Sequence, residues 1–327
     1  LRQPRRLRLR QPRRLRLRQP RRLRLLRQTP RARSRAAVAG TSAAAVKALR
    51  EQTGAGMMDC KRVLQDADGD AEKAAELLRE RGLAKAGKRE GRATSEGVIA
   101  IALAGSEGGM VELGCETDFV ARTDAFVALA ESMAAVVVAD AGVDGPDTLL
   151  AREADGEKLA DRVIAAIAAL GENVVVKRTA RLSVNGDGLV GGYVHAGAKL
   201  GVLVALEGCT GDAVEKAAKD LAMHVAAADP SPAAVGRQGI SEALLDSERK
   251  IYRKQAEQEG KPEKVIDRIV EGKVNKFLAD VVLTEQAFVK DPNCSIQEFL
   301  AAAGKEAGGE LKVVAFERFK LGEAGGE

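Results

Sequence analysis

The sequence predicts an α+β protein: a small three-helix module leads into a two-lobed α+β core of duplicated sheet-plus-helix units, and an antiparallel helical hairpin protrudes from that core. Three observations carry this. Apolar residues recur at helical spacing over 43–81, the pattern switches to period two from residue 96, and the segment MVELGCETD at 110–118 returns as VALEGCTGD at 204–212. Each copy leads into a helix, which reaches Met133 (18 residues past Cys115) in the first and Met223 (14 past Cys209) in the second.

Residues 1–42 are set apart by composition. The unit LRQPRRLR opens the chain three times, at 1, 9 and 17. Proline at every eighth position interrupts a helix, and sixteen arginines without one acid in the first 36 residues preclude a packed core. An Arg-rich, acid-free stretch ending in serine and small residues reads as an organellar transit segment, mitochondrial with plastid as the alternative; a nucleic-acid-binding arm is the other reading. Since the chain opens on Leu1, this reading expects its start to lie upstream.

Residues 43–81 read as three helices. The first turns Val46 and Leu49 to one face and ends at Gly54; the second carries Val63 and Leu64 inward and stops at Asp68-Gly69; the third takes Asp70 as its N-cap and ends at Gly82. A basic Gly/Ala-rich linker covers 82–95. The first core lobe, 96–170, holds a hairpin (VIAIALA, a Ser-Glu-Gly-Gly turn, MVELGC), the loop ETDFVARTD and two helices. The second, 171–239, gathers NVVVKRTARLSV, the turn Asn185-Gly-Asp-Gly188, two further strands and the helix DAVEKAAKDLAMHVAAA. The polar helical hairpin spans 240–283, with Pro262 expected just inside its second helix, and 284–327 returns to the core as a helix and a strand.

Charge and composition exclude several functions. The formal net charge of +5 conceals two unlike parts: past residue 36 the chain holds 36 of its 52 basic side chains against all 47 acidic ones. An acidic body with 3% aromatics and no tryptophan is a poor nucleic-acid platform, and no run approaches the roughly 18–20 apolar residues of a membrane span. The four cysteines are scattered and neither histidine lies near one, so no metal or cofactor site is expected.

The stretch TGAGMMDC at 53–60 has glycines spaced as in a phosphate loop. That chemistry needs a strand before the glycines and a Lys-Ser or Lys-Thr pair after them; here a helix precedes and Met57-Met58 follow, so the glycines are a turn. With no G-x-S-x-G elbow and two histidines in all, the residues give no catalytic constellation, and no enzyme is expected. The most unusual feature is Thr117-Asp118-Phe119-Val120, between a strand and a helix. Its phenylalanine either tucks into the sheet or protrudes as a wedge for a partner's pocket. His195, near a strand end, is either a hydrogen-bonded structural group or an active one.

Taken together, VKALREQTGAGMMDCKRVL, VELGCETDFVAR, GENVVVKR, GYVHAGAKLGVLV, LAMHVAAADP, GKPEKVIDRIVEGKVNKF and EQAFVKDP, in this order between Ala43 and Leu321, resemble the elongation factor Ts family. The resemblance implies a guanine-nucleotide exchange factor for elongation factor Tu, the GDP and GTP being bound by that partner. It implies that 43–81 is a ubiquitin-associated-like module contacting the partner through Leu49, Met57 and Met58. It further implies that Thr117, Asp118, Phe119 and Val120 dislocate the partner's Mg2+, that His195 presses on the same domain, and that the hairpin is a coiled-coil or homodimer element. An adaptor of ubiquitin-associated type with a nucleic-acid-binding arm is the alternative.

Overall fold

The computed structural model describes residues 41–323. The transit-like segment thus falls, but for its last two residues, outside the described residues. Three helices open the described chain: α1 (Ala43–Thr53), α2 (Met57–Asp66) and α3 (Ala71–Gly87). The Ser42 hydroxyl accepts the Ala45 N–H at 3.0 Å, and Gly54, at φ 65°, closes α1 in the left-handed region. The Asp70 carboxylate accepts the N–H groups of Lys73 and Glu72, which hold its pKa below the usual range. Val46, Leu49, Cys60, Val63, Leu64, Ala67 and Ala74 form the shared core.

The third helix does not stop at Gly82. It runs five residues further because Gly82 faces a neighbouring helix over Leu159–Leu170: a Cβ there would lie 3.4 Å from Ile164 Cγ2 and 3.5 Å from Ala168 Cβ. The glycine marks a close approach between two helices, and the first six residues of the expected linker, 82–87, are helical.

The core follows in chain order. Strands β1 (Glu96–Ala104) and β2 (Glu107–Cys115) form a hairpin, then come α4 (Asp118–Ala121), α5 (Asp124–Ala139), α6 (Pro146–Leu150), the short ribbon β3 (Glu153–Ala154) and β4 (Glu157–Lys158), α7 (Leu159–Leu170) and β5 (Val174–Ser183). A second hairpin, β6 (Gly188–Val194) and β7 (Leu200–Glu207), is followed by α8 (Asp212–Ala227), α9 (Glu242–Gln258), α10 (Glu263–Val281), β8 (Ala287–Phe288), β9 (Asp291–Ser295), α11 (Ile296–Glu306) and β10 (Lys312–Lys320). The main sheets are β1-β2-β5 and β10-β7-β6, antiparallel at each pairing.

Several elements differ from expectation. The first hairpin turns at Gly105-Ser106, since Ala104 pairs with Glu107; Gly108 and Gly109 belong to β2. A Cβ on Gly109 would stand 2.8 Å from the Ala134 carbonyl, so the glycine lets α5 lie on the sheet. Strand β5, expected with the second β run, pairs with β2. The turn at 185–188 therefore carries the chain from one sheet to the other. The loop ETDFVARTD contains the one-turn helix α4, and Pro262 caps α10 from outside rather than sitting within it.

Both units share one plan: a hairpin, a helix, and a returning strand antiparallel to the hairpin's second strand. The side-chain period of two then builds four layers. Val98, Ala100, Val111, Leu113, Cys115, Val174 and Val176 face α5 and α7. Their alternates Ile99 and Met110 meet Val190, Leu203, Ala205 and Phe319 of the second sheet. The far face of that sheet, Val202, Val204 and Leu206, packs on α8 and α11. Central strands covered on both sides are buried on both faces along nearly their whole length, as β2 and β7 are.

A carboxylate and its guanidinium partner are admitted between the sheets. Glu112 is buried and accepts from Arg178 Nε at 2.7 Å; Arg178 donates through its NH2 group to the Lys320 carbonyl at 2.9 Å and lies 4.1 Å over the Phe319 ring. In the α9–α10 pair, Ile266, Val270, Val274, Leu278 and Val281 of α10 pack with Leu245 and Ala256 of α9. Arg253 pairs with Asp267 and Arg249 with Glu271 along the same antiparallel seam.

His224 of α8 is buried with both ring nitrogens engaged. Nε2 lies 3.0 Å from Gln286 Oε1 and Nδ1 takes the Val289 N–H at 3.3 Å, an arrangement for the neutral ring with its proton on Nε2. Burial pushes its pKa below the ordinary value. The unfolded chain therefore takes up a proton first as pH falls below about 6.5, and the stability held by the neutral ring is lost toward the lowered native pKa. The urea stability gap between wild type and His224→Asn is expected to narrow from pH 7.5 to 5.5; a constant gap overturns this.

Candidate functional site

The candidate site forms where β2 stops pairing. Its last partner pair is Cys115 with Val174, after which the chain turns out of the sheet into α4. Thr117, extended at φ −128°, ψ 154°, is the N-cap: its hydroxyl oxygen accepts from the Val120 N–H at 3.4 Å and its carbonyl from the Ala121 N–H at 3.2 Å. At the other end Thr123 Oγ1 donates to the Val120 carbonyl at 2.8 Å. Four residues are thus held at both ends.

Within this turn the side chains divide. Val120 is buried in the first unit's core, whereas Phe119 is 81% exposed. The phenylalanine does not tuck into the sheet; Val120 anchors the turn, and the helical step rotates Phe119 outward. Asp118 pairs with Arg122 at 3.0 Å, four residues on along the same face, a partner that the i,i+4 spacing could have announced. Beneath the turn, Asn173 and Arg92 hold the Glu116 carboxyl below the usual carboxylate range, the Asn173 N–H contributing most. Burial, aided by the Glu172 charge, pushes the Cys115 thiol up to about 11, so the sulfur stays protonated and donates to the Thr117 carbonyl at 3.2 Å.

His195 lies just past β6, exposed, with Nδ1 2.9 Å from the Tyr193 hydroxyl. The β6–β7 turn is joined to the start of β1: the Ile99 N–H donates to the Ala198 carbonyl at 2.7 Å, and Lys199 Nζ to Glu96 at 2.6 Å. Glu96 is also the partner of Cys115 across the ladder. The first residues of β1 therefore connect the His195 turn to the strand that carries Thr117–Val120.

Met57 and Met58 open α2 at 58% and 61% exposure, an apolar pair at a helix start without a side-chain cap. Their helix is tied down by Asp59, which accepts from Lys85 at 3.0 Å and is held below the usual range chiefly by that bond. Leu49 does not join them. At 2% exposure it belongs to the module's core, because the residue that completes the first helix's inward face cannot also be surface. The module meets the core through Arg79 and Asp161, 2.8 Å apart, and through Gly82. Beside this contact lies a cleft of about 960 Å3, lined on one side by Ala55, Asp59 and Lys85 and on the other by Ala125, Leu129 and Arg162.

Among the described residues no group of three or more His, Cys, Asp or Glu side chains converges as a metal site requires, all four cysteines are free, and no helix is long and apolar enough to cross a membrane. The chemistry on offer is an exposed aromatic beside a carboxylate on a braced turn, an exposed imidazole just past β6, and an exposed methionine pair at the start of α2.

Known proteins resemble the chain over most of its length. The family model described as Elongation factor TS matches residues 116–323. Over 290 residues the chain is 46% identical to Elongation factor Ts of Arthrobacter sp. (strain FB24), covering 87% of this chain and 100% of that protein. It is 42% identical over 286 residues to Elongation factor Ts of Clostridium botulinum (strain Alaska E43 / Type E3), and 42% over 293 residues to that of Rhodospirillum rubrum, covering 86% and 88% of this chain and 93% and 94% of theirs.

Proposed function

The chain belongs to the elongation factor Ts family, and from that premise we propose how it acts as the guanine-nucleotide exchange factor of elongation factor Tu: Asp118 and Phe119 intrude beside the partner's Mg2+ and loosen the GDP it holds. The observation that carries this is Phe119, four-fifths exposed on a turn whose neighbour Val120 is buried. A large apolar side chain held in water on a braced backbone is poised to anchor in another protein.

Exchange requires tighter binding to the nucleotide-free partner than to the GDP-bound one, since only differential affinity shifts an equilibrium. Mg2+ is the dominant positive charge on the β-phosphate side of a bound nucleotide, so displacing it weakens nucleotide binding with no covalent step. Phe119 supplies the apolar anchor, and Asp118, paired with Arg122 in the free protein, a carboxylate that competes for the cation or its ligands. Thr117 and Val120 hold the pair out; His195 contacts the same partner domain.

In this reading residues 43–81 are a ubiquitin-associated-like docking module whose contact is Met57 and Met58, with Leu49 supporting them from within. Methionines suit a surface that must re-pack as its partner changes shape. The α9–α10 hairpin exposes Leu244 and Ile251 one heptad apart and is the segment through which a second copy pairs. Residues 1–42 direct the protein to an organelle, the mitochondrion before the plastid.

Release of labelled GDP from a bacterial elongation factor Tu is expected to accelerate strongly with the intact protein. The Asp118→Ala/Phe119→Ala variant should lose about 30-fold or more, the scale set by removing a well-placed anchor; no acceleration by the intact protein overturns the reading. Residues 1–45 fused to a fluorescent reporter should carry it into mitochondria, and diffuse fluorescence counts against a targeting role. Sedimentation equilibrium should show a dimer that Ile251→Glu dissociates; a monomer at tens of micromolar sinks the pairing.

A further inference from the structure

Glu172, at the join between α7 and β5, is 55 residues in sequence from the turn it touches. Past the Cys115–Val174 pair the β2–β5 ladder has no backbone acceptors to offer the diverging chains, and side-chain carboxylates replace them. Glu172 Oε2 accepts the N–H groups of Glu116 at 3.1 Å and Thr117 at 2.9 Å, and Oε1 accepts the Thr117 hydroxyl at 2.5 Å. In return Glu116 Oε1 accepts the N–H of Asn173 at 2.7 Å, while Asn173 Nδ2 donates to the Arg92 carbonyl at 3.1 Å. The two strands clasp each other through side chains one step beyond the sheet.

The bond to the Thr117 hydroxyl has a directional effect. A hydroxyl has one hydrogen and two lone pairs. With its hydrogen committed to Glu172, Thr117 Oγ1 is oriented as the acceptor for the Val120 N–H, which is the cap of α4. One carboxylate thus fixes both the backbone that enters the turn and the rotor that caps it, directly ahead of Asp118 and Phe119. Lys199 and Arg92 bond to Glu96 and Glu116 respectively and leave these three contacts to Glu172 alone.

We infer that Glu172 is a positioning residue for nucleotide exchange, holding the Asp118–Phe119 turn in its working orientation before the partner arrives; the inference rests on the exchange reading given above. Without Glu172 the turn must be ordered in the complex, and fixing the backbone of one residue is worth about an order of magnitude in an equilibrium constant. That loss falls on the step in which the wedge enters, not on docking through Met57 and Met58.

The test is single-turnover release of labelled GDP from a bacterial elongation factor Tu, titrated with wild type, Glu172→Ala and Glu172→Gln. Glu172→Ala should lower the saturating release rate about tenfold while shifting the half-saturating concentration by less than about twofold. Glu172→Gln keeps an oxygen for the two N–H groups and should recover most of the rate. Amide exchange should rise at Glu116 and Thr117 in Glu172→Ala and stay unchanged in the module. A wild-type saturating rate in Glu172→Ala overturns the inference, as does a glutamine variant as impaired as the alanine one. If Glu172→Ala fails to fold, Glu172→Asp, one methylene short of both amides, carries the same test. Failure of the wild type itself to release GDP strikes the exchange reading instead, and leaves the amide-exchange comparison to judge the clasp.

Discussion

The contact between the two sheets is the constraint on which the rest depends. Met110 and Ile99 of one sheet close on Leu203 and Ala205 of the other, and the buried carboxylate Glu112 of β2 is met by Arg178. A buried ion pair adds little net stability over an apolar pair of the same volume, but leaving one partner alone costs about 3–5 kcal/mol. Arg178 is itself held by the Phe319 ring and the Lys320 carbonyl, so the pair ties β2, β5 and β10 into one arrangement. That arrangement sets where β2 ends and where the β6–β7 turn lies. The braced turn of Phe119 and the exposed His195 inherit their relation from it.

Much of the fold was legible because it is local. The first two helices could be drawn from Gly54, Asp68-Gly69 and the pairs Val46/Leu49 and Val63/Leu64, and the duplicated segment led to two units that share a strand plan. What failed was decided at a distance. Gly82 has the composition of a helix end, but a neighbour 82 residues downstream, Ile164, makes it a contact point. Strand β5 follows its helix as though it began the second unit, yet its hydrogen bonds go back to β2.

The site divides in the same way. The peculiarity of Thr117–Val120 was visible, but the side of the turn that faces water was not, because one helical turn between sheet and helix obeys neither period. Leu49 shows the converse: helical spacing placed it inward, and its exposure agrees with that rather than with a surface role. Glu172 carried no local signal at all. A glutamate beside a glycine at a helix end reads as solvated, and only the closing of β5 onto β2 brings it beneath Thr117.

The position of β10 in the chain has a consequence for how the protein is made. β6 and β7 can pair as soon as both are synthesised, but the third strand of their sheet follows more than a hundred residues later, after α8, the α9–α10 pair and α11. Until then Arg178, which finds Glu112 66 residues upstream, lacks the Lys320 carbonyl 142 residues downstream. On the ribosome the first unit can close early while the second keeps an open strand edge on β7. The helical hairpin is thus a long delay placed inside a sheet, and the newborn chain must be kept from pairing that edge with anything else until its own last strand emerges.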